Sequence, residues 1–335
     1  GGAGLVITEM TNVSPEGRIS HKCTGMYKPE HIPAWKRIVD FIHENSNSKI
    51  CVQLGHAGRK ASCNVGWVEG GASLNDGAWS ILAPSPIPFA PKSQVPKEMD
   101  RSDMDKVRDD YVLSAAMAAE AGFDMIEFHG AHGYLLSSFI SPMSNIRTDE
   151  YGGSIKNRMK FPLEVLRAVR AVWPSDKPIS VRISAEDWVG ERGTSGDDAV
   201  EIARLFHNNG ADIIHVSAGQ TSSEQKPTYG RMFQAHLSEQ VRLEAGVPTM
   251  AVGNITTADQ VNTILAAGRA DLVTLGRPHL SNPFFTLHAA AHYNWETQYW
   301  PDQYLRGKDQ AFKEALTANA RQSELLGANK PTSHA

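Results

Sequence analysis

The sequence predicts an α/β fold: a parallel (β/α)8 barrel of the TIM type, with the first βα unit missing from the N-terminus. Three observations predict it. Seven short apolar, β-branched runs alternate with helical patterns, and such alternation implies a parallel sheet. No G-x-G-x-x-G opens a helix after the first run, so a Rossmann fold lacks its main support. The 335 residues leave room for one large barrel, which needs eight strands in about 250 residues.

Taken in order, the first run is Leu5–Thr8. It begins almost at Gly1, so an eighth strand is expected upstream, cut away or carried in a longer polypeptide. A helix over Ile32–Asn45 follows, with Ile38, Phe41 and Ile42 on one stripe. Ile50–Leu54 is the second strand. From Gly55 to about Arg101 the periodicity stops, and the segment holds five prolines (84, 86, 88, 91 and 96), which reads as a lid loop. Trp67 and Trp79 suggest that this lid is partly ordered. An Ala-rich helix over Asp103–Ala121, opened by Ser102, leads to the strand Met125–Phe128. The helix Arg158–Val172, with Phe161, Val165, Leu166 and Val169 at helical spacing, precedes the strand Ile179–Ile183. Ser195 caps a helix over Asp197–Asn208 that ends before Gly210. Strand Ile213–Val216, strand Thr249–Val252, a helix Ala258–Ala267 capped by Thr256 or Thr257, and strand Leu272–Leu275 complete the series. The expected division is a barrel over 1–292, with the lid at about 55–101, and a polar C-terminal arm over 293–335.

Lys and Arg total 33 against 37 Asp and Glu, a net charge of −4 with no block of like charge. Such a balance disfavours a nucleic-acid or anionic-membrane binder. No run of about 18 apolar residues offers a transmembrane helix. Cys23, Cys51 and Cys63 are odd in number and lack C-x-x-C spacing, which disfavours a disulfide framework, a zinc ribbon or an iron–sulfur cluster and suggests the cytoplasm. The tripeptides at Asn12 and Asn254 that match the glycosylation pattern then read as chance.

Barrel chemistry lies at the C-terminal ends of the strands. The residues there are Glu9-Met10, Gln53, His129, Arg182, Ser217-Ala218-Gly219, Gly253-Asn254 and Gly276-Arg277. The last two groups suggest a phosphate site, because glycines admit backbone N–H groups to an anion and Arg277 adds a guanidinium; turn glycines are the plainer alternative. His129 and His132 can share a pocket. They could be metal ligands, with Glu9 as the only further candidate, a structural pair, or hydrogen-bond donors to a substrate oxygen with Tyr134 as proton donor. Gln53 and Arg182 suit a planar heterocycle of alternating donors and acceptors; an internal salt bridge from Arg182 to Glu9 is the alternative. Ser217 has no His–Asp arrangement to make it a nucleophile.

These residues, with Gly4–Glu9, Gln53–Arg59, Phe128–Ser141, Arg147–Ser154, Asn157-Arg158, Ala251–Ile255 and Leu275–Pro278, resemble the old yellow enzyme family of FMN-dependent NAD(P)H oxidoreductases, in its thermophilic-like subclass. Tyr151-Gly-Gly-Ser154 with Asn157-Arg158 is the most specific stretch. The resemblance implies FMN, with Gln53 and Arg182 on the pyrimidine ring, the Met10 backbone beside the flavin, and Gly253, Asn254, Gly276 and Arg277 on the phosphate. It implies a ping-pong ene-reductase in which NAD(P)H reduces the flavin. His129 and His132 then bind the carbonyl of a conjugated alkene, flavin N5 gives hydride and Tyr134 gives the proton. Gln303–Gly307 is similar to the arm of that subclass, which implies a homodimer with Arg306 reaching the partner's site. The N-terminal start and long tail also resemble the C-terminal half of fused aromatic acyl-CoA monooxygenase/reductases, which implies an FAD monooxygenase upstream and a dearomatised aryl-CoA thioester as substrate. A non-catalytic barrel is the remaining alternative.

Overall fold

The computed structural model describes residues 1–328. All seven expected strands form, most a residue or two longer than their apolar runs. They are β1 (Leu5–Asn12), β2 (Lys49–Gly55), β5 (Met125–Gly130), β6 (Ile179–Ser184), β7 (Ile213–Ser217), β8 (Thr249–Ala251) and β9 (Leu272–Val273). Two-residue strands β3 (Leu82–Ala83) and β4 (Lys97–Glu98) pair inside the lid. The main sheet runs β1-β2-β5-β6-β7-β8-β9, each pair parallel. This is a barrel sheet in chain order, and β1 and β9 are its two edges. Among the described residues no eighth strand joins this sheet. The strand Thr249–Val252 stops at Ala251, and Leu272–Leu275 stops at Val273.

Helices pack on the outside. They are α1 (His31–Asn45), α2 (Arg101–Glu120), α3 (Leu135–Ile140), α4 (Ile155–Arg158), α5 (Lys160–Arg170), α6 (Gly196–Asn208), α7 (Ala235–Gln240), α8 (Ala258–Ala266), α9 (Arg277–Ser281), α10 (Phe285–His292) and α11 (Leu305–Ala328). Several expectations need correction. In α1 the inward stripe is Ile32, Trp35, Val39 and Ile42, while Ile38 and Phe41 face outward. The i, i+3, i+4 spacing of that stripe is equally helical, so periodicity alone did not choose the face. The α2 cap is Asp100, not Ser102; Asp100 and Asp103 form a reciprocal capping box. The helix expected from Arg158 is two, α4 and α5, with Pro162 in the first turn of α5, where its missing N–H is tolerated. Ser195 caps α6 and Thr257 caps α8 as expected.

The lid is ordered by specific bonds. The Trp79 ring N–H donates to the Glu16 carbonyl at 2.9 Å, and Arg59 donates to the carbonyls of Ile87 and Pro88. Trp67, by contrast, is 80% exposed and orders nothing. The arm is mostly the exposed helix α11, tied to α10 where the Asn319 amide donates to the His292 carbonyl. Residues 329–335 of the expected arm lie outside the described residues. Among the described residues, no helix is long and apolar enough to cross a membrane.

Side chains alternate along a strand, so every second residue of each strand points into the barrel. The lowest inward layer is apolar: Cys51, Met125 and Met250 with Leu5, Ile7 and Ile213. The next inward positions on β2, β5 and β7 are Gln53, Glu127 and His215, and this layer is polar. The strand ends above it carry the candidate site.

Candidate active site

Gln53, Arg182 and His215 line a cavity of about 960 Å³, together with Thr8, Glu9, Thr274 and Gly276. Its apolar walls include Leu5 and Ile7 of β1 and Leu272 and Val273 of β9. Strand register sets the polar groups side by side: Gln53 lies opposite Glu127, and Arg182 lies between His129 and His215.

Glu127 is fully buried and accepts three hydrogen bonds. Gln53 Nε2 donates at 2.7 Å, Ser180 Oγ at 2.9 Å and His215 Nδ1 at 2.9 Å. Burial alone would raise its pKa; His215, then Arg182 and Gln53, more than reverse this and hold it at about 2. Burial holds His215 itself below the ordinary imidazole value, so at neutral pH the charge that balances Glu127 is that of Arg182. In the tautomer that donates from Nδ1, His215 Nε2 accepts from the Thr274 hydroxyl at 2.8 Å.

Arg182 does not pair with Glu9, which is exposed. The acid beside it is Glu127, from the middle of β5. The Arg182 Nε is enclosed and has no hydrogen-bond partner among the described residues. Arg182 is half-buried and lines the cavity, and a guanidinium so placed is an anion or acceptor site by chemistry alone.

At the end of β5 the chain turns through His132, in the left-handed region at φ 61°, and Gly133 at φ 73°. A Cβ at Gly133 would stand 2.8 Å from the Gln220 carbonyl oxygen, so glycine is required there. This turn gathers three rings. His129 lies 5.0 Å from His132 and 4.7 Å from Tyr134, centroid to centroid, edge on in both cases. Burial, with Arg182 next, holds both imidazoles well below their ordinary pKa, so both are neutral at pH 7. Burial lifts the Tyr134 phenol to about 12. The Ala131 N–H donates to His129 Nδ1, which leaves the proton on Nε2. His132 Nε2 lies 2.8 Å from Ser217 Oγ. Ser217 thus has a histidine neighbour that its sequence context did not reveal, but no carboxylate bonds to that histidine, and no triad results. No three His, Cys, Asp or Glu side chains gather as a metal would require among the described residues.

Met10 packs beside this turn with Ala57, Ala61, Ile81 and Tyr134. Gly276 lines the cavity; Gly253, Asn254 and Arg277 do not. Gly253, at φ 118°, and Asn254, at φ 50°, turn the chain after β8, and Asn254 Nδ2 donates to the Gly230 carbonyl. Arg277 is exposed at the start of α9. Arg306 is exposed in the first turn of α11 and does not line the cavity.

Sequence reasoning missed Glu127, His215 and Lys60. The first two are polar residues inside apolar strand runs, at inward positions, and that was their signal. Lys60 Nζ donates to the carbonyls of His132 at 2.9 Å and Gln220 at 3.1 Å, and it lies over the rings of Phe89 and Tyr134. Burial lowers its pKa to about 8. Nothing in its local sequence marks this role.

Residues 1–296 match the family described as NADH:flavin oxidoreductase / NADH oxidase. An NADPH dehydrogenase of Clostridium acetobutylicum is 41% identical over 290 residues, 87% of this chain and 81% of the relative. An NADPH dehydrogenase of Bacillus subtilis is 39% identical over 307 residues, 92% and 85%. Among solved structures, morphinone reductase superposes with a TM-score of 0.70 at 27% identity, covering 86% of this chain and 77% of that one. A 2-naphthoyl-CoA reductase in complex with 2-naphthoyl-CoA superposes at 0.74 with 22% identity, a likeness of fold; the chain spans 44% of that reductase's length.

Proposed function

The chain belongs to the NADH:flavin oxidoreductase / NADH oxidase family, and on that premise we propose that it reduces a C=C bond conjugated to a carbonyl. Membership makes it an FMN-dependent enzyme with NAD(P)H as reductant. The unpartnered Arg182 Nε and the free Gln53 carbonyl fit the alternating edge of the flavin pyrimidine. Those two residues would hold the ring, with the Met10 backbone beside it and Gly253, Asn254, Gly276 and Arg277 around the phosphate. When bound, FMN supplies the hydride drawn from NAD(P)H.

The observation that carries the reading is the trio at the end of β5, two neutral imidazoles and a protonated phenol in edge contact. His129 donates from Nε2 to the substrate carbonyl oxygen. The bond strengthens as charge develops on that oxygen, which makes the β-carbon of the alkene electron-poor. His132 joins this clamp by exchanging Ser217 for the substrate. Tyr134 keeps its proton at neutral pH and delivers it to the α-carbon.

Tyr134→Phe tests this in stopped flow. The oxidative half-reaction slows by about 10²-fold or more, and reduction by NAD(P)H is unchanged. Equal losses in both halves would remove Tyr134 from the proton path.

A further inference from the structure

We infer that Glu127 is a positioning residue of the cofactor site: it turns the Gln53 carbonyl toward the cavity and offsets the Arg182 charge, so that the ring is reduced at a lower potential than Arg182 alone would set. This rests on the reading that Gln53 and Arg182 hold the FMN pyrimidine.

The orientation follows from donor and acceptor counting. An ionised carboxylate can only accept. Gln53 Nε2 lies 2.7 Å from Glu127 Oε1, so the amide must face Glu127 with its NH2 group. Its carbonyl is then left for the cavity that Gln53 lines. A neutral residue at position 127 could donate as well as accept, and Gln53 would lose this single orientation.

The charge argument is independent. Glu127 has zero exposure, and Arg182 is the fixed cation beside it. Arg182 keeps an enclosed Nε without a partner, so its field is available to whatever occupies the cavity. An unbalanced buried cation would stabilise strongly any negative charge that reduction places on a ring there. Glu127, of opposite charge, subtracts from that field. A purely structural layer at this depth could have been apolar at no loss of stability, since buried ion pairs rarely outperform apolar packing. Ser180, which donates to the same carboxylate, modulates the offset without carrying charge.

The experiment is a spectroelectrochemical titration of the full chain loaded with FMN, as wild type, Glu127→Gln and Ser180→Ala. Glu127→Gln removes the negative charge, and the midpoint potential shifts upward. Ser180→Ala removes a hydroxyl dipole that partly masks the carboxylate, and the potential shifts downward by less. Opposite signs are the mark of an electrostatic role; structural loosening would move both variants the same way. Shifts of the same sign, or potentials equal to wild type in both, overturn the inference. Should Glu127→Gln not fold, Ser180→Ala decides alone: a downward shift supports the inference, and no shift or an upward one overturns it. Retention of FMN by Arg182→Ala as tight as by wild type would instead sink the underlying site reading, whatever the potentials.

Discussion

Arg182 and Arg147 are both arginines set into the body of the protein, and their surroundings are opposite. Arg147 donates to the carbonyls of Pro84 and Met99 at 3.1 and 2.7 Å and grips both oxygens of Asp149. Nearby, Arg158 donates to the carbonyls of Ile140 and Gly153. The Tyr151 hydroxyl, between Arg101 and Glu164, belongs to the same knot. A Cβ at Gly152 would lie 1.9 Å from the Arg147 carbonyl oxygen, so the turn admits only glycine. Here the donors are engaged and the segment locks the lid to the barrel wall. Arg182 lines a cavity and keeps an enclosed Nε without a partner among the described residues. The most distinctive stretch of sequence, Arg147–Arg158, is therefore a structural staple, and the binding chemistry sits where polar capacity is left over.

The largest expected contrast between the two regions is in acid. His129 and His132 are buried neutral with depressed pKa values, and His56 is lowered to about 4 by burial. Below the unfolded imidazole value of about 6.5, the unfolded chain binds protons that the folded chain does not. Each such histidine therefore costs stability at about 1.4 kcal/mol per pH unit as pH falls toward its folded value. The staple depends on carboxylates instead. The Arg147 hydrogen bonds hold Asp149 below its ordinary value of 3.8, so its contribution is present above that pH and fades only below it. Hydrogen exchange followed from pH 7 to pH 4 should open the β5–α3 turn first and leave residues 145–158 protected. Simultaneous opening would erase the distinction.

Paired substitutions sharpen it at neutral pH. Arg147→Ala leaves two carbonyls without donors and should cost about 3 kcal/mol, lowering the thermal midpoint by about 4 °C. The double variant Arg182→Met/Glu127→Gln removes both buried charges together and should change the stability of the FMN-free protein by less than about 1.5 kcal/mol, whereas Arg182→Met alone would strand the Glu127 charge. The loss in the double variant appears in FMN retention. Equal melting shifts in the two variants would mean that Arg182 is a staple as well.

The same contrast explains what the sequence disclosed. Seven strands were legible because parallel barrel strands are buried on both faces and read as continuous apolar runs. The strand-end rule brought His129, His132, Tyr134, Gln53 and Arg182 into view; Gln53 and Arg182 line the cavity, while His129, His132 and Tyr134 gather at the end of the neighbouring strand β5 and do not line it. Glu127 and His215 were hidden by that rule, since they lie one layer below the ends and break their runs at a single position. Ile38 and Phe41 face outward because two helical stripes compete in α1, and only packing against the rest of the fold selects one. The lid could not be resolved from pattern, because its order comes from long-range bonds made by Arg59, Arg147 and Trp79 to main-chain carbonyls.

The smallest effect separates the parts of the staple itself. Asp149 is the charged partner of Arg147, yet its side chain is 45% exposed against 9% for the arginine. Ion pairs so open to water contribute about 0.5 kcal/mol, whereas the carbonyls of Pro84 and Met99 are partly buried and have no equivalent donor in water's place. Asp149→Asn keeps an oxygen for the Tyr151 N–H and loses only the charge. Its denaturation midpoint should sit within about 0.5 kcal/mol of wild type. A loss as large as that of Arg147→Ala would shift the weight of the staple from the lid carbonyls to the ion pair, and the lid would then be held to the barrel by charge.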